Sequence, residues 1–185
     1  MFHQEQSQQQ PRPNSPITVA KFGGTSVADF QAMLRCAHII KNDTSNRLVV
    51  VSASAGVTNY LVRLSQENIS AQEQAEIIAN IRTIQVNITQ HLCTEVEQAL
   101  NTEIDNLLDQ LATLALKLSQ HHSVKHADAI LAFGEQLSSR LFAQVLQSIG
   151  VNGAYFNVQQ VMKTNSLYGK AVVDVEQLAS ACTEL

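Results

Sequence analysis

Short, mostly apolar runs at two places in the first third of the chain predict β-strands. Residues 17–22 and 48–51 are rich in β-branched side chains, and each run ends in small residues that can form a turn. The second run has no polar alternation, so we expect its strand to be covered on both faces. Between the two runs, apolar side chains in residues 30–40 recur at helical spacing. Ser26, with Asp29 three residues later, is the expected N-cap of that helix.

Residues 71–119 have a longer hydrophobic period. Isoleucines and leucines three or four residues apart form two successive apolar stripes, as in amphipathic helices. The stripes predict a helical hairpin packed against the rest of the domain, rather than a coiled coil that binds a partner. The stripe positions are Ile77, Ile78, Ile81, Ile84 and Ile88, followed by Val96, Leu100, Ile104, Leu107, Leu111, Leu114 and Leu118.

The last third of the chain continues the alternation of helices and strands. The pattern predicts a loop at 121–126, a helix at 127–149 that bends near Gly134, a short strand at 154–156 and a final helix at 174–185. Alternating strands and helices predict an α/β fold with a mainly parallel sheet. Three strands would form a narrow sheet with an unpaired edge.

Composition narrows the class of protein. The 185 residues are 45% hydrophobic and 15% charged, as in a globular chain, and their net charge is −4. A mildly acidic chain argues against nucleic acid or an anionic membrane surface as the main partner. No apolar stretch is long enough to span a bilayer, and the N-terminal residues lack the apolar segment of a secretory signal.

Proline and cysteine indicate the organisation and the compartment. All 3 prolines lie within residues 1–16, a Gln-rich segment that we expect to be a disordered tail before one domain at 17–185. Cys36, Cys93 and Cys182 are too far apart for a metal-binding pair, and an odd number does not suit a disulfide framework. A reducing cytoplasm is the natural compartment. Cys36 and Cys93 lie on apolar faces, where we expect buried thiols.

The first candidate for chemistry is Lys21-Phe22-Gly23-Gly24, at a turn from a strand to a helix. Ligands of open α/β sheets bind at this end of a strand. Two glycines let backbone N–H groups approach a phosphate, the helix N-terminus adds partial positive charge, and Lys21 adds a full charge. The spacing matches neither a P-loop nor GxGxxG. An ordinary tight turn would use the same glycines.

Two further segments could bind a small polar substrate. The loop after the second strand should lie at the same sheet edge as the first loop, where Ser52 and Thr58 would offer hydroxyl groups. The alternative is a close-packed turn whose hydroxyls only cap the next helix. Glu135 could bind a substrate amine, although a lone glutamate more often lies on a solvated face. His122 and His126 supply too few ligands for a zinc site, so we expect no metal held by protein side chains.

Taken together, the three segments resemble one family. KFGGTSVAD, LVVVSASAGVTN and GEQLSSR, in that order, are similar to the amino-terminal part of the aspartokinases, especially the monofunctional lysine-sensitive bacterial type. Residues 161–171 also look like that family, so the resemblance covers residues 17–185. It implies the amino-acid kinase fold, a three-layer α/β/α sandwich. It also implies transfer of the γ-phosphoryl group of ATP to the side-chain carboxylate of L-aspartate, with Mg²⁺ held mainly by the nucleotide phosphates.

The resemblance also implies roles for single residues. The segment matching the family's nucleotide-phosphate contacts comprises Lys21, Phe22, Gly23 and Gly24. Lys21 would stabilise charge on the transferred phosphoryl oxygens. Ser52 and Thr58 match substrate-contacting positions, and Glu135 matches the acid that pairs with the α-ammonium of aspartate. Phe133 stands where some members have histidine, so no role is carried over to its side chain.

The family's members continue past these motifs with a Gly-Arg-Gly-Gly-Ser-Asp-like segment, adenine-binding loops and regulatory domains. The resemblance therefore implies that residues 17–185 are the N-terminal portion of a catalytic domain, inactive alone, within a homo-oligomeric enzyme. One alternative is a stand-alone, non-catalytic α/β module that binds a partner through its hairpin. Another is a different amino-acid kinase, such as a glutamate or acetylglutamate kinase, which KFGGTS disfavours.

Overall fold

The computed structural model describes residues 18–43 and 45–183, and the predicted tail at 1–16 lies outside this part of the chain. Two short 3₁₀ helices, at Gly24–Val27 and Val158–Gln160, accompany the main elements. In chain order these are β1 (Thr18–Phe22), α1 (Phe30–Asn42), β2 (Asn46–Val51), α2 (Val57–Leu64), α3 (Ala71–Thr89), α4 (Thr94–Gln120), α5 (Val124–Leu131), α6 (Phe133–Ser148) and α7 (Val175–Thr183). No helix in the described ranges is long and apolar enough to cross a membrane.

The two strands form a small parallel sheet with one face on the core. Phe22 lies opposite Val51, and Lys21 lies opposite Val50. Because side chains alternate across a strand, Phe22 faces the helices while Lys21 faces away from them. The Phe22 ring packs against Phe142 of α6 at a centroid distance of 5.8 Å. This packing joins the sheet to the main helical layer.

The second face of the sheet is exposed in the described structure. Val19, Leu48 and Val50 have 55%, 52% and 45% of their surface open to solvent. The prediction that the second strand is covered on both faces is therefore wrong for these residues. A continuous apolar run shows that a strand can be buried, but it does not show which element covers each face.

Helix α6 is the central helix of the fold. It packs against α1, α2, α3, α4 and β2. Its inward-facing residues recur every three or four positions, so one apolar stripe fills the space between the sheet and the other helices. Leu137, Leu141 and Val145 on this stripe are fully buried. The first turn of α6 is thereby held close to the sheet edge where the loops lie.

Helices α3 and α4 form the predicted helical hairpin, joined by residues 90–93. Ile81, Ile88, Ile104 and Leu111 are all buried, as their spacing indicates. Near the middle, Arg82 donates two hydrogen bonds to the carboxylate of Asp105, with Nε–Oδ1 at 2.7 Å and Nη2–Oδ2 at 3.0 Å. The hairpin packs on α5, α6 and α2, so it belongs to the same core.

Two element boundaries differ from those predicted from the sequence. The predicted helix at 127–149 is two helices that break at Ala132, close to the predicted bend, and the first of them begins at Val124 inside the predicted loop. The prediction of a strand at 154–156 is wrong. Tyr155 is half-buried and Phe156 exposed, an alternation typical of a strand, but no neighbouring strand pairs with this segment within the described residues.

Two local predictions near the helix starts are also wrong. The residues after Gly23 form a 3₁₀ turn, so Asp29 rather than Ser26 caps α1, and its Oδ1 accepts the N–H of Ala32 at 2.8 Å. Cys93 is exposed at the N-terminus of α4, since the hairpin turn lies at the surface. Cys36 is buried as expected, and this burial raises the pKa of its thiol.

Candidate active site at the strand ends

The loops that follow β1 and β2 lie side by side at one edge of the sheet. Parallel strands bring their carboxyl ends to the same edge, and the pairing of Phe22 with Val51 fixes this register. Just past the pairing, the N–H of Ser52 donates to the carbonyl oxygen of Phe22 at 3.0 Å. The two loops therefore start from a shared hydrogen bond, and Lys21 and Ser52 stand at the same end of the sheet.

The two glycines of the first loop have different surroundings. A Cβ placed on Gly24 would lie 2.9 Å from the carbonyl oxygen of Ala53, too close for any other residue. A Cβ on Gly23 would meet only the ammonium of Lys21, 3.9 Å away. Gly24 therefore allows the two loops to pack together, while Gly23 leaves open space beside a positive charge.

The open space at Gly23 fits a phosphate group. An exposed lysine ammonium and a backbone without a side chain are the features that phosphate-binding turns use. The sequence also predicts a contribution from the N-terminus of the following helix. In the structure a 3₁₀ turn at Gly24–Val27 separates the glycines from α1, and the carboxylate of Asp29 caps the first turn of that helix. Attraction for an anion rests on Lys21 and on the backbone of the loop.

The second loop is built from small residues and leads directly into α2. Ser52 is half-buried, while Ser54 is 1% exposed and its hydroxyl has no hydrogen-bond partner within the described residues. Gly56 has φ of +86°, a left-handed conformation that favours glycine, and it begins α2. Thr58 lies exposed in the first turn of that helix.

Glu135, at the start of α6, is hydrogen-bonded to the second of these loops. Its Oε1 accepts the backbone N–H of Ala53 at 3.2 Å, across 82 positions in the sequence. The side chain is nonetheless exposed, so the rest of the carboxylate stays accessible to a ligand. The alternative that Glu135 is simply a solvated surface residue does not hold, because it accepts a tertiary hydrogen bond from the loop after β2.

Comparison with models of known protein families identifies the family of this chain. The model of the amino acid kinase family matches residues 16–185. The chain belongs to the amino acid kinase family. Its helix-rich layer and small parallel sheet are the corresponding part of that fold, as predicted from the sequence.

Individual relatives of this chain are aspartokinases. The chain is 41% identical to lysine-sensitive aspartokinase 3 of Escherichia coli over 165 residues, covering 89% of this chain and 36% of that protein. It is 32% identical to an aspartokinase of Chlamydia trachomatis, covering 94% and 38%. The crystal structure of E. coli aspartokinase III with aspartate and ADP matches with a TM-score of 0.86 and 39% identity, covering 91% and 37%. The chain thus spans little more than a third of these relatives' length.

The two loops and the start of α6 converge around one residue to which the sequence motifs assign no role. Ala53 donates its N–H to Glu135, and its carbonyl oxygen lies against Gly24. Its only signal in the sequence is a small apolar residue between two serines, Ser52 and Ser54. Such a pattern is common in turns, so contacts made by its backbone could not be predicted.

Metal-ligating side chains do not cluster in the described part of the chain. Residues 18–43 and 45–183 contain no group of three or more His, Cys, Asp or Glu residues placed to hold an ion. His126 lies in α5, whereas His122 precedes that helix and has its Nδ1 3.5 Å from Oε1 of Glu67. The two histidines therefore do not share a helix face.

Proposed function

We propose that this chain carries the phosphate-binding and aspartate-binding loops of an aspartokinase. The full-length enzyme transfers the γ-phosphoryl group of ATP to the side-chain carboxylate of L-aspartate and forms 4-phospho-L-aspartate, the first step towards lysine, threonine and methionine. One observation carries the proposal: the loops after both strands and the carboxylate of Glu135 meet at Ala53. The identity to aspartokinases across these same loops supports the choice of substrate.

Lys21 is the proposed catalytic residue. Its ammonium lies beside the open side of Gly23, where a nucleotide phosphate could approach the backbone of residues 22–24. Phosphoryl transfer spreads negative charge over the oxygens of the transferred group, and a fixed cation lowers the energy of that state. Mg²⁺ enters with ATP and is held mainly by its phosphates.

Glu135, Ser52 and Thr58 are the proposed aspartate-binding residues. Glu135 has one oxygen on Ala53, so the other can accept a charge-assisted hydrogen bond from the α-ammonium of aspartate. Ser52 precedes Ala53 in the second loop and Thr58 lies in the first turn of α2, and their hydroxyls can donate to substrate oxygens. Substrate and nucleotide would then share the single sheet edge.

The proposal extends to the whole protein. Residues 17–185 are the first portion of a catalytic domain whose remaining loops complete the ATP site. The partners are ATP and L-aspartate, with no nucleic acid and no membrane, in a cytoplasmic homo-oligomer. Residues 1–185 alone are inactive, in keeping with a chain that spans little more than a third of its relatives' length.

The test is a substrate comparison with the full-length protein. ATP and Mg²⁺ are supplied with L-aspartate, L-glutamate or N-acetyl-L-glutamate, and ADP formation is coupled to a spectrophotometric assay. We expect turnover with aspartate only. Turnover with either glutamate substrate would favour another amino-acid kinase. No turnover with any of the three, together with a partner captured by the hairpin, would favour the stand-alone binding module.

A further inference from the structure

Two glycines that are distant in the sequence, Gly24 and Gly134, both pack against Ala53. Its carbonyl oxygen lies 2.9 Å from the position of a Cβ on Gly24, and its own Cβ lies 2.6 Å from the position of a Cβ on Gly134. Ala53 is 3% exposed, and Gly134 is also buried. The two loops and the start of α6 can approach this closely only while positions 24 and 134 carry no side chain.

Gly134 is unusual because it lies inside a helix. Glycine is unfavourable in a helix relative to alanine, so a buried glycine in the first turn of α6 requires a packing reason. Its surroundings supply one. A Cβ there would lie 2.6 Å from Ala53 Cβ, 3.1 Å from Leu61 Cδ1 and 3.7 Å from Val57 Cγ1. The contact at 2.6 Å is one that real Cβ atoms do not make.

We propose that Gly134 is a positioning residue that sets the distance between Glu135 and the loop after β2, which contains Ala53. The inference rests on the aspartate-binding role proposed for that loop and goes beyond it, because Gly134 itself has no side chain to touch a ligand. Its contact with Ala53 lets Oε1 of the next residue, Glu135, reach the Ala53 N–H at 3.2 Å. One carboxylate oxygen is thereby fixed on the loop, and the other is oriented for a ligand ammonium.

A methyl group at position 134 should separate these two elements. Because Ala53 is also in contact with Gly24, it cannot move away from α6 without disturbing the first loop. The start of α6 must then shift outward and carry Glu135 with it. The expected consequence is weaker aspartate binding with less change in the use of ATP, since Lys21 and Gly23 belong to the first segment, residues 21–24, which approaches Ala53 at Gly24 and not at Gly134.

The experiment uses four variants of the full-length protein: Gly134→Ala, Ala53→Gly, the double variant Gly134→Ala/Ala53→Gly, and Gly153→Ala. The last is a control for a close contact elsewhere, because a Cβ on Gly153, after the other end of α6, would lie 2.9 Å from Leu146 Cδ1 and 3.1 Å from Leu146 Cβ. Each variant is assayed for the KM of aspartate, the KM of ATP and kcat. Hydrogen exchange of the peptide containing residues 52–56 is measured by mass spectrometry.

Gly134→Ala should raise the KM of aspartate roughly tenfold, the effect expected of one overpacked contact. The same variant should speed exchange of the 52–56 peptide. Removing the Ala53 methyl in the double variant should return both readouts to within about threefold of the unchanged protein, since the contact at 2.6 Å is gone. Gly153→Ala should lower the unfolding temperature and leave both readouts unchanged.

An unchanged KM and unchanged exchange in Gly134→Ala would overturn the inference. So would an equal loss in Gly153→Ala, or a double variant no better than Gly134→Ala, since either result would indicate a general loss of stability. If the unchanged protein does not phosphorylate aspartate at all, the proposed function fails. The exchange measurements then still decide whether Gly134 positions the loop.

Discussion

The helical hairpin and the loop cluster at the strand ends are held together in different ways. In the hairpin, large apolar side chains such as Ile81, Ile104 and Leu111 are fully buried between α3, α4 and their neighbours. In the loop cluster, two glycines and Ala53 allow backbone to approach backbone, and single hydrogen bonds fix the spacing. Burial of large side chains provides stability, whereas small residues and hydrogen bonds provide position.

This difference makes a general prediction about where variants act. Changes in the hairpin should lower the free energy of unfolding and leave binding constants alone in the protein that remains folded. Changes in the loop cluster should alter binding or turnover and have little effect on unfolding. The variants below test this separation in the full-length protein, in order of expected effect.

Leu111→Ala should have the largest effect on stability. Leu111 is fully buried in the hairpin, so truncation removes transfer free energy and leaves a cavity. We expect the free energy of unfolding in urea to fall by about 2–5 kcal/mol, with the KM of aspartate unchanged in the folded fraction. Leu116→Ala on the same helix is the control, because Leu116 is 53% exposed and should cost little. Equal losses in both variants would contradict the account of the hairpin.

Lys21→Ala should have the largest effect on catalysis. Removing a preorganised cation from the transferred phosphoryl group should lower kcat by roughly a hundredfold to a thousandfold. The side chain is exposed, so urea unfolding should barely change. Lys117→Ala removes an exposed lysine from the last turn of α4 and should leave kcat unchanged. A Lys21→Ala enzyme with full turnover would remove lysine from the proposed mechanism.

The sequence could predict the hairpin better than the contacts of the loops. Repeated Ile and Leu positions report burial directly, so the stripe from Ile77 to Leu118 indicated both helices. The sequence motifs predict the two loops, and the parallel pairing of the strands predicts that the loops lie at the same edge of the sheet. The contact between Ala53 and Gly134 joins residues that are 81 positions apart. It depends only on a methyl group and on a backbone without a side chain, which many alanines and glycines offer. No local pattern encodes such a contact.

Two wrong predictions share a cause. The sequence predicts a cap at Ser26 and a strand at residues 154–156, because each segment has the right local chemistry. A capping side chain is selected by where the helix actually starts, which the 3₁₀ turn moves to Asp29. A strand exists only when another strand pairs with it, and local alternation does not supply a partner.

Asp29→Ala should have a moderate effect on stability close to the loop cluster. The carboxylate accepts the N–H of Ala32 at 2.8 Å and also complements the positive end of α1. Its loss should lower the free energy of unfolding by about 1 kcal/mol, measured in urea. Asp29→Asn keeps an N-capping oxygen and should retain most of this stability. If the asparagine variant were as unstable as the alanine variant, charge rather than capping would dominate.

Asp105→Asn should have the smallest effect, and the effect should depend on pH. Hydrogen bonds from Arg82 lower the pKa of the Asp105 carboxyl below its ordinary value of 3.8. A lowered pKa adds stability above pH 3.8, and that stability is lost as the pH falls through the lowered value. The pair is about half exposed, so we expect a loss of about 0.5 kcal/mol at pH 7. The two proteins should converge in acid, and a difference that grows in acid would contradict this assignment.

The central claim is that Glu135 binds aspartate as well as anchoring the second loop. Glu135→Gln separates the two roles, because the amide oxygen can still accept the Ala53 N–H while the negative charge is lost. Glu76→Gln on α3 is the matched control, since Oε1 of Glu76 also accepts one N–H, from Gln72 at 2.9 Å.

The most direct measurement is the KM of aspartate for Glu135→Gln in the full-length enzyme. We expect an increase of roughly tenfold to a hundredfold, the value of one hydrogen bond to a charged group, with the KM of ATP near its original value. Glu76→Gln should change neither constant. An unchanged KM of aspartate in Glu135→Gln would contradict the proposed site and leave Glu135 with a structural role only.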